Sequence, residues 1–138
     1  MKKTAFLLAI LSSIAMDAGA QIDRYTSERE MSTPLHSADV HFKDKHVAIT
    51  VDIKGRKITM DSTKTAVFKI LSVDTSSEFS TPDMRTIKYK CVDENGVNRI
   101  IVMVLYSDRL KGLMDSAGQC VLNIGAMSFS YELHPIRN

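Results

Sequence analysis

YKCVDENGVNRIIVMVLY, residues 89–106, is the stretch whose reading decides the fold. Its first half alternates polar and apolar side chains, and its second is an almost unbroken apolar run. Between them stands Asn95-Gly96, the strongest short hairpin signal, because both residues tolerate the positive φ of a type I′ turn. Met84–Val92 and Val97–Tyr106 are therefore expected to pair antiparallel. The second partner is apolar on both sides, the pattern of a strand covered on both faces.

Upstream, Val47, Ile49, Val51 and Ile53 alternate with polar neighbours, and Lys54-Gly55 turns the chain into Ile58 and Met60. Residues 64–73 make a further strand rich in β-formers. The polar segment Asp74–Asp83 is a loop long enough to reach across an opening. Ile87, Tyr89 and Cys91 then point one way and Thr86, Lys88 and Lys90 the other. Downstream, residues 107–116 hold at most one short helix, capped by Ser107 or Asp108 and stopped near Gly112. Residues 119–124 and 127–133 form a last hairpin about Gly125. Seven to eight short strands with turn signals between neighbours predict an all-β fold. The reading is a small antiparallel β-barrel, with a two-sheet β-sandwich as the alternative.

The first twenty residues read differently. Lys2-Lys3, an apolar run from Ala5 to Met16 and the end Ala18-Gly19-Ala20 have the layout of a cleaved secretory signal peptide, residues 1–20. The run is shorter than the ~20 residues of a membrane span. The chain is thus expected to be exported, to the periplasm or outside the cell, with no membrane span in its mature form. Residues 21–39 read as a polar, partly disordered arm, and residues 40–138 as a single β domain.

The whole sequence has 18 basic and 16 acidic residues; losing Lys2, Lys3 and Asp17 leaves it near neutrality. That gives no electrostatic footprint for nucleic acid.

Export places Cys91 and Cys120 where disulfides persist, so a bond between them is the leading reading. A ten-residue strand is ~33 Å long, and bonded cysteines need Cα atoms within ~7 Å. The bond thus requires residues 107–118 to carry the chain back along the sheet, extended rather than helical. The alternative is two buried, inert thiols.

No enzyme motif is present: there is no Gly-x-Ser-x-Gly elbow, no phosphate-binding glycine loop and no activating base signature for either cysteine. No cofactor is implied. His36, His41 and His46 are candidate metal ligands, but a spacing of five puts successive histidines on opposite faces of a strand. Met31, Met60, Met84, Met103, Met114 and Met127 fill core gaps or line an adaptable apolar pocket.

An eight-stranded barrel has room for its own side chains or one small ligand, an architecture similar to the lipocalin-like barrels. The likeness is one of architecture alone, since those barrels carry a Gly-x-Trp signature and this chain has no Trp. Two functions follow. One is a non-enzymatic binding module for a small apolar ligand or protein partner, using a barrel mouth flanked by the loop residues Asp74, Glu78, Phe79 and Asp83 and the turn residues Glu94 and Asn95. The other is a protein-interaction domain, such as an inhibitor of a secreted peptidase or a cell-surface assembly partner, using a strand edge or the 74–83 loop.

Overall fold

The computed structural model describes residues 22–75 and 80–136. The segment read as a signal peptide, and Glu78 and Phe79, lie outside the described residues. Eight strands follow one another as β1 (Ile22–Pro34), β2 (His41–Asp52), β3 (Lys57–Asp61), β4 (Thr65–Asp74), β5 (Met84–Val92), β6 (Asn98–Tyr106), β7 (Gly118–Ile124) and β8 (Met127–Pro135). Each pairs antiparallel with the next, and β1 closes on β8, giving a closed up-and-down barrel. The barrel rather than the sandwich is the fold, and one short helix, α1 (Asp108–Met114), interrupts the meander.

The expected alternations place the core. Val47, Ile49 and Val51 of β2 face inward, as do Ile58 and Met60 of β3, Ile87, Tyr89 and Cys91 of β5, and Ile101 and Met103 of β6. With Phe68, Ile70, Cys120, Leu122, Tyr131 and Leu133 they form one contiguous cluster. An eight-stranded barrel is just wide enough for such a filling.

Several expectations are corrected. Residues 22–34, read as part of a loose arm, are β1, paired with both β2 and β8. The register of β1 shifts between Ser27 and Arg29, so Tyr25 and Ser27 before the shift and Glu30 after it lie toward the interior. A bulge and polar inward residues erase the period of two that would have announced a strand.

The hairpin of β5 and β6 pairs as expected, Met84 opposite Tyr106 and Val92 opposite Asn98. Its turn differs: only Gly96 has positive φ, 79°, and the Gly96 amide donates to the Asp93 carbonyl at 3.0 Å. This is a type I turn closed by a left-handed glycine. The Asp93 carboxylate selects it, accepting from the amides of Asn95 and Val97 at 2.9 Å each.

The outer face of β6 is not covered by a second layer, and Ile100 is 46% exposed. Helix α1 runs through Gly112 and ends at Asp115, whose left-handed φ of 53° caps it.

Cys91 and Cys120 are free, buried thiols, which corrects the expected disulfide. Register forbids the bond. Cys91 stands opposite Arg99 on one side of β6, and Cys120 opposite Met103 on the other. Four residues along a strand are ~13 Å, well beyond the ~7 Å a disulfide spans. The chain returns through a helix and enters β7 at Gly118, which leaves Cys120 too far toward the other end.

Candidate functional site

Alternation of strand direction gives the barrel two unlike ends. At one, here the floor, lie the turns 35–40, 62–64, 93–97 and 125–126; at the other, the mouth, lie the 53–56 turn, Thr75, residues 80–83 and α1. A cavity of 250 Å³ opens at the mouth. Its apolar walls include Val51, Ile53, Ile87, Met103 and Leu105, and its polar lining is Asp23, Tyr25, Thr75, Arg85 and Tyr89.

The strands explain the convergence. Arg85 lies one alternation above Ile87 and Tyr89 on the inner face of β5, where the wall ends and solvent begins. Asp23 and Tyr25 reach the same space from the first turns of β1. Burial pushes the Tyr89 hydroxyl up to about 12, with further upward pressure from Asp23 and Tyr25 and a downward pull from Arg85. Burial, then Asp23, raises Tyr25 as well. The four groups therefore feel one another. Yet no side-chain hydrogen bond or ion pair joins them to each other or to other described residues. Tyr89 is only 5% exposed as a residue, and its hydroxyl, without a partner among the described residues, is reached from the cavity.

The rest of the mouth is tied down. The Asp83 carboxylate accepts from the Ser107 hydroxyl at 2.7 Å and pairs with Arg109. Arg109 first, and Ser107 second, hold its carboxyl below the usual carboxylate range. The Ser107 amide also donates to the Asp83 carbonyl at 2.8 Å, fixing the end of the loop to the start of α1. Ser107 in turn caps α1 by accepting from the Leu110 amide.

The loop and turn residues expected to surround one opening are separated. Asp74 and Asp83 are at the mouth, whereas Glu94 and Asn95 are at the floor. There Glu94 accepts from the Val67 amide at 3.2 Å, and the Asn95 amide bonds Asp93. Glu94 ties the turn to β4, and Asn95 serves the turn itself. A shallow cavity of 190 Å³ beside them is lined by Ala66, Phe68, Arg99 and Ile124 among others.

His36, His41 and His46 do not converge: His36 is in the exposed 35–40 turn, His41 starts β2, and His46 Nδ1 lies 2.6 Å from Glu28 on β1. Among the described residues no three His, Cys, Asp or Glu side chains gather as metal ligands. Burial lifts the Cys91 thiol to about 11 and Cys120 to about 12, so neither is a thiolate near neutrality. Met60 and Met103 belong to the core, and Met103 also walls the mouth cavity.

Asp23, Tyr25, Arg85 and Tyr89 were not singled out from the sequence. A signal existed for Arg85: carrying the Ile87, Tyr89, Cys91 alternation back one step puts a cation on the interior face of β5. No helix among the described residues is long and apolar enough to cross a membrane. Neither the protein-family models, the curated proteins nor the solved structures compared with the chain give a match.

Proposed function

We propose that this protein is an exported, non-enzymatic binding module that takes a small amphipathic ligand in the mouth of its barrel. The supporting observation is Tyr89, buried to 5% exposure with its hydroxyl unpartnered among the described residues and bordering the cavity. A hydroxyl that opens onto the cavity bonds water there and can exchange it for a polar group of a ligand.

The size of the cavity limits that partner. At 250 Å³ it falls just under the ~300–1,000 Å³ of pockets for drug-sized ligands. The side chains packed beneath it leave no calyx for a long acyl chain. The lining sets the chemistry. Val51, Ile53, Ile87, Met103 and Leu105 suit a short apolar body, while Arg85 calls for an acceptor and Asp23 for a donor. A hydroxy acid or an amino acid with a small apolar side chain carries both.

The test is a ligand-observed NMR screen of such compounds, followed by amide shift mapping on the labelled protein. Hits should perturb Tyr25, Arg85 and Tyr89 together, and Arg85→Leu should weaken acids by about tenfold, the loss of one charge-assisted bond. A screen without hits, or hits that map away from the mouth, would remove this reading.

A further inference from the structure

A second feature lies at the opposite end from the mouth and is independent of it. β2 pairs with β1 as far down as His41, whereas β3 pairs only with Ala48–Asp52. Among the described residues, 41–47 therefore have a strand neighbour on one side only. In an antiparallel ladder alternate residues aim their N–H and C=O groups away from that neighbour. The result is an open stretch of sheet edge, as also occurs where β4 outruns β3 and β6 outruns β7. Beside it a 460 Å³ cavity separates Lys43–His46 from Ser62 and Thr63 of the β3–β4 turn. One added strand, ~4.8 Å from β2, occupies such a space.

The side chains say what kind of strand. The edge reads Phe42, Lys43, Asp44, Lys45, and Phe42 is 58% exposed, with the Arg29 guanidinium over its ring at 4.6 Å. A second copy of the same edge is a poor fit wherever the pairing is centred on the charged run. Two-fold antiparallel pairing centred on Lys43 or on Lys45 sets that lysine against itself. Centring on Asp44 sets two aspartates together and Lys43 against Lys45. Like charges directly opposite one another destabilise a ladder. A strand with acids opposite Lys43 and Lys45 and an apolar residue opposite Phe42 fits the edge.

We infer that the edge of β2, residues 41–47, receives an extended segment of a partner protein by strand addition, the segment reading acid–x–acid–apolar. Run antiparallel to β2, its two carboxylates face Lys43 and Lys45, the latter shared with Glu30 at 3.2 Å, and its apolar residue lies beside Phe42. Main-chain hydrogen bonds supply the affinity and the alternating side chains the selectivity.

The experiment titrates the labelled protein with a synthetic peptide centred on Glu-Thr-Glu-Val. Saturable amide shifts confined to 41–47 and 62–64, with new hydrogen-exchange protection in 41–47, are expected. Lys43 is exposed, so Lys43→Glu keeps the fold while weakening this peptide about fivefold or more. The same variant should prefer a Lys-Thr-Lys-Val peptide over the original. The inference is overturned if there is no saturation by about 1 mM peptide, if the shifts lie elsewhere, or if Lys43→Glu has no effect. It is equally overturned if sedimentation shows a dimer whose contact protects 41–47. Because Tyr89→Phe leaves this edge intact, peptide binding and mouth binding fail separately.

Discussion

Tyr131 and Tyr89 are each 5% exposed inside the same barrel, but they are treated differently. In the lower half, the Tyr131 hydroxyl donates to Glu30 Oε2 at 2.6 Å, and Lys45 Nζ approaches the same oxygen at 3.2 Å. Ser27, fully buried beside them, spends its hydroxyl on the Arg29 carbonyl at 3.1 Å. In the upper half, Tyr89 faces Tyr25, Arg85 and Asp23 across a cavity, with no such bond among the described residues. The lower network satisfies buried polar groups within the chain, which fixes the register where β1 bulges. The upper set has polar groups of the same kinds that open onto the cavity, without such partners among the described residues. Burial of a tyrosine therefore does not mark function here; what distinguishes the two is whether another described residue supplies the partner.

Substitutions set the two halves apart, and the largest effect is expected at the seam they share. Gly118 begins β7 at φ 149°, and a Cβ there would lie 1.9 Å from the Val104 carbonyl oxygen of β6. Backbone cannot yield as a flexible side chain can. Gly118→Ala should destabilise by about 3 kcal/mol or more, combining strain and overpacking. Urea unfolding measures it, and an unchanged midpoint would mean β6 and β7 are not this close. Both halves should lose stability together, because β7 carries core residues of each.

Next comes Tyr131→Phe. It leaves Glu30 with Lys45 but removes its buried hydroxyl donor, at a cost of about 1–3 kcal/mol. The same contact has a pH signature. Burial first, then the bond and charge of Glu30, raise the Tyr131 hydroxyl far above its ordinary value of 10.0. An unfolded tyrosine gives up its proton near pH 10, before the folded one does. The stabilisation is therefore complete below pH 10 and is lost progressively as the pH rises above it. Absorbance titration of tyrosinate should show Tyr131 ionising last. Tyr131→Phe should flatten the fall in stability above pH 10; a fall of unchanged steepness would exclude the contact.

The same contrast explains what the sequence made legible. Strands whose inner face is apolar throughout were readable, since Val47-x-Ile49-x-Val51 or Phe129-x-Tyr131-x-Leu133 shows its period directly. β1 was not, because its inward positions are Tyr25, Ser27 and Glu30 and a bulge shifts their phase. The Asn-Gly signal located the hairpin, while Asp93 chose the turn type, a side-chain effect outside the Asn-Gly pair itself. The cysteine pairing failed for a related reason. Path length through residues 107–118 permits a bond, but the register of β7 against β6 depends on where Gly118 is able to approach Val104. The mouth was half legible. Loop polarity pointed to Asp74 and Asp83, whereas Asp23, Tyr25, Arg85 and Tyr89 meet only once the barrel closes β1 against β8 and curls β5 toward it.

The smallest expected effect on stability is the most informative about the mouth. Tyr89→Phe removes a hydroxyl that bonds no other described residue, so stability should change by less than about 0.5 kcal/mol, in either direction. The apolar ring, which belongs to the core cluster, is retained. Affinity for a mouth ligand should fall about two- to tenfold, one neutral hydrogen bond's worth, and the upper tyrosinate titration should lose a component near pH 12. Urea unfolding and binding are read on the same sample. If Tyr89→Phe costs as much stability as Tyr131→Phe, the hydroxyl has a structural partner and the contrast between the halves disappears. If stability holds and affinity also holds, the cavity is an imperfection of packing rather than a place for a ligand. Only unchanged stability with lost affinity supports a polar group kept open for binding.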